Sequence, residues 1–254
     1  MDIRFDDKVV IVTGAGTGIG RATAIEFGKA GAKVVVNYNR SQTAAEEVVE
    51  LIRKTDGRAV TLQADVARSA AVEKLIKGTV DAFGERIDIL VNNAGSLLER
   101  RSFSEMTEDL WDRCFALNTK SVYLVSQAVL PYMQKQNFGR IINISSIAAR
   151  NGGGPGAGHY SAAKAAVSTY TKSIAKELAG SGITVNGVAP GVITTPFHDK
   201  FSTREVRDKF KNNIPLGREG TSEEIAYTVL FLASEYAGYI LGEMIEVNGG
   251  MLMD

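Results

Sequence analysis

Residues 9–20 read Val-Val-Ile-Val-Thr-Gly-Ala-Gly-Thr-Gly-Ile-Gly, and helical spacing begins near Arg21. Four β-branched residues running straight into alternating glycines make a buried strand that turns at once into a helix. Glycines there let the backbone turn tightly and approach a pyrophosphate, whose charge is favoured at a helix N-terminus. The spacing differs from G-x-G-x-x-G, and no Lys follows to make a G-x-x-x-x-G-K-[ST] phosphate loop. A plain tight turn would use the same glycines, so the decision rests on what surrounds the loop.

Working outward, short apolar runs recur at 34–36, 59–62, 87–91, 140–144, 183–188 and 243–247. Each is nearly continuous in apolar residues, as a strand covered on both faces requires. Stretches with apolar residues three and four apart lie between them, at 41–55, 69–83, 107–133 and 159–179. This alternation predicts an α/β fold: one parallel sheet with helices on both faces, filling residues 1–254 as a single domain. Two segments stand apart. NGGGPGAG at 151–158 is a loop between strand and helix, and 191–215 is long enough to be a substrate lid or a pair of short surface helices.

Composition narrows the partners. There are 29 Lys plus Arg against 29 Asp plus Glu, which gives a formal net charge of zero and no basic face for nucleic acid or an anionic membrane. One Cys and two His exclude a disulfide framework and a Cys-rich zinc site, so no metal is expected. The opening MDIRFDDKVV is acidic where a signal peptide needs a basic end, and no apolar run is long enough to span a bilayer. A cytoplasmic protein acting on a small molecule is the expectation.

Candidate site residues gather at the predicted strand ends. After the second strand, 36–41 reads Val-Asn-Tyr-Asn-Arg-Ser, with no acid to accept hydrogen bonds from a ribose 2′-hydroxyl. Asn37 is assigned to that position; Arg40 could pair with a 2′-phosphate or be a solvated loop cation, and Ser41 could cap the next helix. Asp65, followed by Val66, suits an adenine amino group, or else a helix cap. Asn92-Asn93-Ala94-Gly95 follows the fourth strand and Ser145-Ser146 the fifth. Tyr160 and Lys164 lie four apart and share a helix face. Singly, each has a plainer explanation: turns rich in Asn, serines capping strand ends, Tyr–Lys pairs on surface helices. His159 is expected to point away from Tyr160, Cys114 to be packed in the core, and Glu99-Arg100-Arg101 to form an exposed charged loop.

Taken together, TGAGTGIG at 13–20, NNAG at 92–95, Asn118, Ser146, Tyr160-Ser-Ala-Ala-Lys164 and Pro190-Gly191 resemble the short-chain dehydrogenase/reductase family along essentially the whole chain. The resemblance implies a doubly wound, parallel, seven-stranded sheet of Rossmann type, a nicotinamide dinucleotide and interconversion of a carbonyl with a secondary alcohol. It implies that Tyr160 exchanges the proton, Lys164 lowers the phenol and binds the nicotinamide ribose, Ser146 donates to the substrate oxygen, and Asn118 holds a relay water. Bringing a phenol from about 10 to about 7 takes roughly 4 kcal/mol, part of which an ammonium about 4–6 Å away supplies. It further implies that Gly14, Thr17, Gly18, Ile19, Gly20, Asn92, Ala94, Gly95, Pro190, Gly191, Ile193 and Thr195 line the cofactor. NADP(H) is expected over NAD(H), because the carboxylate is missing and Arg40 is present; Thr17, where many NADP-using relatives are basic, keeps dual use open.

Within the family the look is nearest to 3-oxoacyl carrier-protein reductases and to sugar dehydrogenases such as glucose 1-dehydrogenases. The carrier-protein enzymes use two arginines at the entrance, and Asn137 and Ser181 stand at the positions aligned with them. The lid at 198–211 has five Lys or Arg and three Asp or Glu, which suits a phosphate-bearing thioester or a solvated face with Phe201 and Phe210 turned inward. A 3-oxoacyl thioester reductase is the leading expectation, a sugar or polyol dehydrogenase the next, and a non-catalytic dinucleotide-binding module the third. The small residues Ala162, Ala163, Ala165, Ala166, Ser168 and Thr169 permit close helix contact, and the resemblance implies a homotetramer.

Overall fold

The chain alternates strand and helix because each run at 9–12, 34–36 and beyond can bury both faces only between two helical layers. A computed structural model describes residues 2–201 and 212–253, without the side chains of residues 198–200. The strands are β1 Val9–Val12, β2 Lys33–Tyr38, β3 Arg58–Gln63, β4 Ile89–Asn92, β5 Gly139–Ile144, β6 Ile183–Pro190 and β7 Met244–Val247. They form one seven-stranded sheet in the order β3-β2-β1-β4-β5-β6-β7, and every pair is parallel. The order reverses between β1 and β4, so a crevice opens at the carboxyl ends of those two strands.

The helices are α1 Gly18–Lys29, α2 Gln42–Arg53, α3 Ser69–Phe83, α4 Glu108–Phe115, α5 Ser121–Lys135, α6 Ala148–Asn151, α7 Gly158–Glu177, α8 Pro196–Phe201 and, beyond the stretch 202–211, α9 Ser222–Ala233. Phe27 of α1, Val48 of α2 and Val229 of α9 share a core with Val10, Val34 and Val188 on one face of the sheet. Leu75 of α3, Val129 of α5 and Ala175 of α7 pack on the other with Ile11, Leu90 and Val185. Among the described residues, no helix is long and apolar enough to cross a membrane.

The expected single helix over 107–133 is broken. Thr107 caps α4 by accepting from the Leu110 N–H, and at Ala116–Lys120 the chain widens into a π turn in which Ser121 N–H reaches the Ala116 carbonyl. The extra residue rotates the helix and turns the Asn118 side chain into the sheet crevice, where it is fully buried. One inserted residue leaves the apolar spacing on each side intact, so periodicity alone does not reveal the break.

Candidate active site

Three loops at the crevice are tied together before any ligand is considered. The Thr13 hydroxyl accepts from Asn93 N–H and Ala94 N–H, both at 3.0 Å. The Asn93 amide donates back to the Thr13 carbonyl at 2.9 Å and the Gly14 carbonyl at 3.1 Å. A Cβ on Gly20 would strike that Asn93 amide and lie 2.5 Å from the Gly14 carbonyl, so only glycine fits. Thr13 and Asn93 were not singled out in the sequence; their roles depend on two loops 80 residues apart. Thr195, at the end of the Pro190-Gly191 segment, closes over the loop, with its Cγ2 3.4 Å from where a Gly18 Cβ would sit. Ile193 is buried beside it and pairs with Gly220.

The glycine loop fits a pyrophosphate. Thr17 occupies the N-cap of α1 in extended conformation, and no side chain accepts from the first turn. The first N–H groups of α1, from Gly18 to Gly20, are therefore left without a cap from Thr17, as a pyrophosphate at a helix N-terminus requires.

At the adenosine end the structure rearranges the expected assignments. Asn37 is buried beneath the glycine loop: its Oδ1 accepts from Gly14 N–H at 3.2 Å, and its amide donates to the Leu62 and Ala64 carbonyls, each at 3.2 Å. It supports the loop and has no side-chain atom left for a ribose; strand alternation, with Val35 and Asn37 on one face, gives the physical reason. Asn39 and Arg40 are exposed at the turn instead, and Arg40 has no hydrogen bond or ion pair among the described residues. Ser41 is the N-cap of α2 but makes no side-chain cap bond, contrary to expectation. It lies against the glycine loop, its Cβ 3.5 Å from where a Gly16 Cβ would sit. Asp65 Oδ1 accepts from Ala67 N–H at 3.1 Å, a turn ahead of α3, and Val66 is buried. The Asn92 amide is likewise turned inward, donating to Asn143 at 2.9 Å and Ser126 at 3.0 Å, which leaves Ala94 and Gly95 as the members of that motif facing the crevice.

The reacting groups meet where β5 ends and α7 begins. Ser145 turns away to the Lys164 carbonyl at 3.0 Å and to Ser168, while Ser146 Oγ accepts from Ala148 N–H at 3.1 Å and its side chain lies close enough to Tyr160 to favour the phenolate. Lys164 is buried, donates to the Ile144 carbonyl at 2.7 Å, and sits 5.8 Å from the Tyr160 ring centroid. Gly95 passes directly over both Lys164 and Asn118, since a Cβ there would lie 2.7 Å from Asn118 Oδ1 and 3.0 Å from Lys164 Nζ. The Asn118 amide donates to the Ser96 carbonyl at 2.8 Å and the Cys114 carbonyl at 2.9 Å, and its Oδ1 accepts from Ser96 N–H at 3.1 Å. That side chain holds the turn after β4.

The electrostatics depart from the expected lowering of the phenol. Burial pushes Tyr160 up to about 12, against the opposing hydrogen bond from Ser146. Burial also pulls the Lys164 amine down to about 8. In the free protein desolvation outweighs the help that Ser146 gives the phenolate. Tyr160 is thus a proton donor throughout the neutral range. Cys114 is fully buried and burial raises its thiol to about 11, so it is a packed core residue. His159 is buried with Nε2 2.9 Å from the Leu97 carbonyl, turned from Tyr160 as its place on the helix requires. Arg101 pairs with Glu99, but Arg100 is not a solvated loop cation; its guanidinium bonds the Phe201 and Pro155 carbonyls, each at 2.8 Å. Phe201 is turned inward onto Phe197, whereas Phe210 and the charges at 202–211 lie outside the described residues. No cluster of His, Cys, Asp or Glu among the described residues could hold a metal.

Comparison with known proteins agrees with this geometry. A family model described as Enoyl-(Acyl carrier protein) reductase matches residues 14–252. A 3-oxoacyl-[acyl-carrier-protein] reductase of Synechocystis sp. is 47% identical over 247 residues, covering 97% of each chain. The protein of that name from Thermotoga maritima is 39% identical over 251 residues, 99% of this chain and 100% of the relative. Among solved structures, 7α-hydroxysteroid dehydrogenase complexed with NADH and 7-oxo glycochenodeoxycholic acid superposes with a TM-score of 0.93 at 35% identity, covering 100% of this chain and 97% of that one. The paired glycine loop and Ser146–Tyr160–Lys164 cluster, on a sheet of this order and with relatives this close over their full length, leave one assignment: the chain belongs to the short-chain dehydrogenase/reductase family.

Proposed function

We propose that the protein is a cytoplasmic NADP(H)-preferring reductase of 3-oxoacyl thioesters, with a sugar or polyol dehydrogenase as the other reading of the same site. The observation that carries it is Tyr160 beside Ser146 at the crevice rim, with Lys164 buried beneath and its Nζ 5.8 Å from the phenol ring. Gly14, Thr17, Gly18, Ile19, Gly20, Ala94, Gly95, Pro190, Gly191, Ile193 and Thr195 would hold the dinucleotide, which supplies or accepts a hydride when bound. Ser146 orients the substrate oxygen by donating to it as charge develops there. Tyr160, protonated at neutral pH, gives its Oη proton to that oxygen in the same transition state. Lys164, beneath the phenol, opposes the charge left on Tyr160 Oη. Asn118 acts by fixing the turn at Ser96 and Gly95 over Lys164.

The relatives' names support the thioester substrate, and the description of the matching family model adds 2-enoyl reduction as a third reading. A panel of 3-oxoacyl and 2-enoyl thioesters, sugars and diketones with both cofactors tests the proposal. Fastest turnover of a 3-oxoacyl thioester is expected; turnover of the enoyl thioester or of sugars alone overturns it.

For the cofactor, Arg40 stands exposed beside Ser41 at the start of α2, where an anion is favoured. One charge-assisted contact contributes about 1.5–3 kcal/mol, so kcat/KM is expected to favour NADPH by roughly 10- to 100-fold. An Asp at 37 would set a carboxylate against two carbonyls, so the informative variant is Asn39→Asp with Arg40→Ala. It is expected to swing towards NADH. Equal efficiency in the parent, or no swing in the variant, refutes the preference.

A homotetramer is part of the same proposal. Ala162, Ala165, Ala166 and Thr169 leave one side of α7 only partly covered, and Trp111 on α4 and Tyr123 on α5 are 41% and 43% exposed. Light scattering at micromolar concentration is expected to give four times the 27.3 kDa chain mass; a monomer mass rejects it.

A further inference from the structure

Arg100 is a cation of the crevice that neither the cofactor loops nor the reacting groups use. Its Nε donates to the Phe201 carbonyl at the end of α8, and its Nη1 to the Pro155 carbonyl in the loop before α7. A Cβ on Gly156 would lie 3.3 Å from the Arg100 Cβ, so the same loop packs along its stem. The turn after β4, the 152–157 loop and α8 therefore meet at one guanidinium. They also wall the reacting groups: the Phe197 ring is 5.8 Å from Tyr160, and Phe201 is 4.9 Å from Phe197.

Both bonds go to neutral carbonyls. Burial pulls the guanidinium below its ordinary value, and among the described residues no acid opposes that pull. Neighbouring Arg101, by contrast, is matched by Glu99. Tying three segments together needs donors, which a neutral amide supplies without the cost of desolvating a charge. A partly buried arginine fork at the rim of a cleft, with no carboxylate on it among the described residues, is what binding an oxyanion needs.

We propose that Arg100 is a specificity residue that recognises an oxyanion, phosphate or carboxylate, on the part of the substrate projecting from the cleft. The phosphate source rests on the thioester reading above. The carboxylate source does not.

The test compares parent, Arg100→Gln and Arg100→Lys on matched pairs. One pair is a 3-oxoacyl coenzyme A ester and its neutral N-acetylcysteamine thioester; the other is a 3-oxo acid and its methyl ester. Coenzyme A and the 3-oxo acid are also titrated calorimetrically against enzyme saturated with NADP+, which needs no turnover. The Gln variant is expected to lose roughly 10- to 100-fold in kcat/KM, through KM, and in affinity for the anionic member of one pair. The neutral member should change less than twofold, with Lys restoring part of the loss. The responding pair identifies the oxyanion. Equal losses on anionic and neutral members would mean that Arg100 only holds the loops, and no loss on either would also overturn the proposal. If the parent reduces neither thioester, the thioester reading fails, while Arg100 is judged on the carboxylate pair and the binding titrations.

Discussion

Tyr160→Phe is expected to lower kcat by roughly a thousandfold or more while the cofactor still binds with nearly parental affinity. The change removes one oxygen from a side chain that packs against Phe197 and sits over Lys164, so the ring contacts survive. What is lost is the proton that meets the charge developing on the substrate oxygen, an interaction made only in the transition state, so kcat and kcat/KM fall together. Because burial holds the phenol near 12, the parent keeps its donor form well above neutral pH. Its reductive rate should therefore show no loss from Tyr160 titration below about pH 9. Steady-state rates with any accepted ketone, beside a fluorescence titration of the cofactor, check both halves. A Phe variant retaining a tenth of the activity would remove Tyr160 from the chemistry.

How far the sequence speaks depends on whether a residue's role is local. The seven strands and their parallel pairing were legible because double burial writes itself as continuous apolar runs, and residues 9–20 announce the turn from strand to helix. Tyr160, Lys164 and Ser146 were legible from spacing and resemblance, and the structure brings them together. Residues whose work is done across the fold were not. Asn37 and Asn92 look like crevice residues from their place at strand ends, yet each is turned beneath, bonding partners 23 to 51 residues away. Thr13 and Asn93 lock two loops and carry no local sign of it. The π turn that aims Asn118 inward is a single-residue phase slip, too small for periodicity to register. Arg100 read as a solvated charge because its partners are backbone carbonyls far along the chain, which no side-chain pattern encodes.

Lys164→Met should separate the two duties of that residue. The amine is only 3% exposed and holds the Ile144 carbonyl while facing the Tyr160 ring. Without the charge, the phenolate left after proton transfer has no counter-ion, and a loss in kcat of about 10²–10³-fold is expected. Cofactor affinity should fall as well under the role that the family resemblance implies for the ammonium, binding the nicotinamide ribose. The pH dependence identifies the cause. Burial sets the amine near 8, so its charged fraction declines across pH 7–9, and parental cofactor affinity should weaken above about pH 8. The Met variant should show no such limb. Stability runs the other way: between about 8 and the ordinary 10.5 the unfolded chain holds a proton that the native amine has lost. Stability from this group therefore rises with pH through that window, and the rise is absent in Met. At pH 7 the variant no longer buries a charge, so it should be at least as stable as the parent in urea, which rules out misfolding as the source of the lost rate. Parental affinity that stays flat from pH 7 to 9 would show that the Lys164 charge does not hold the cofactor.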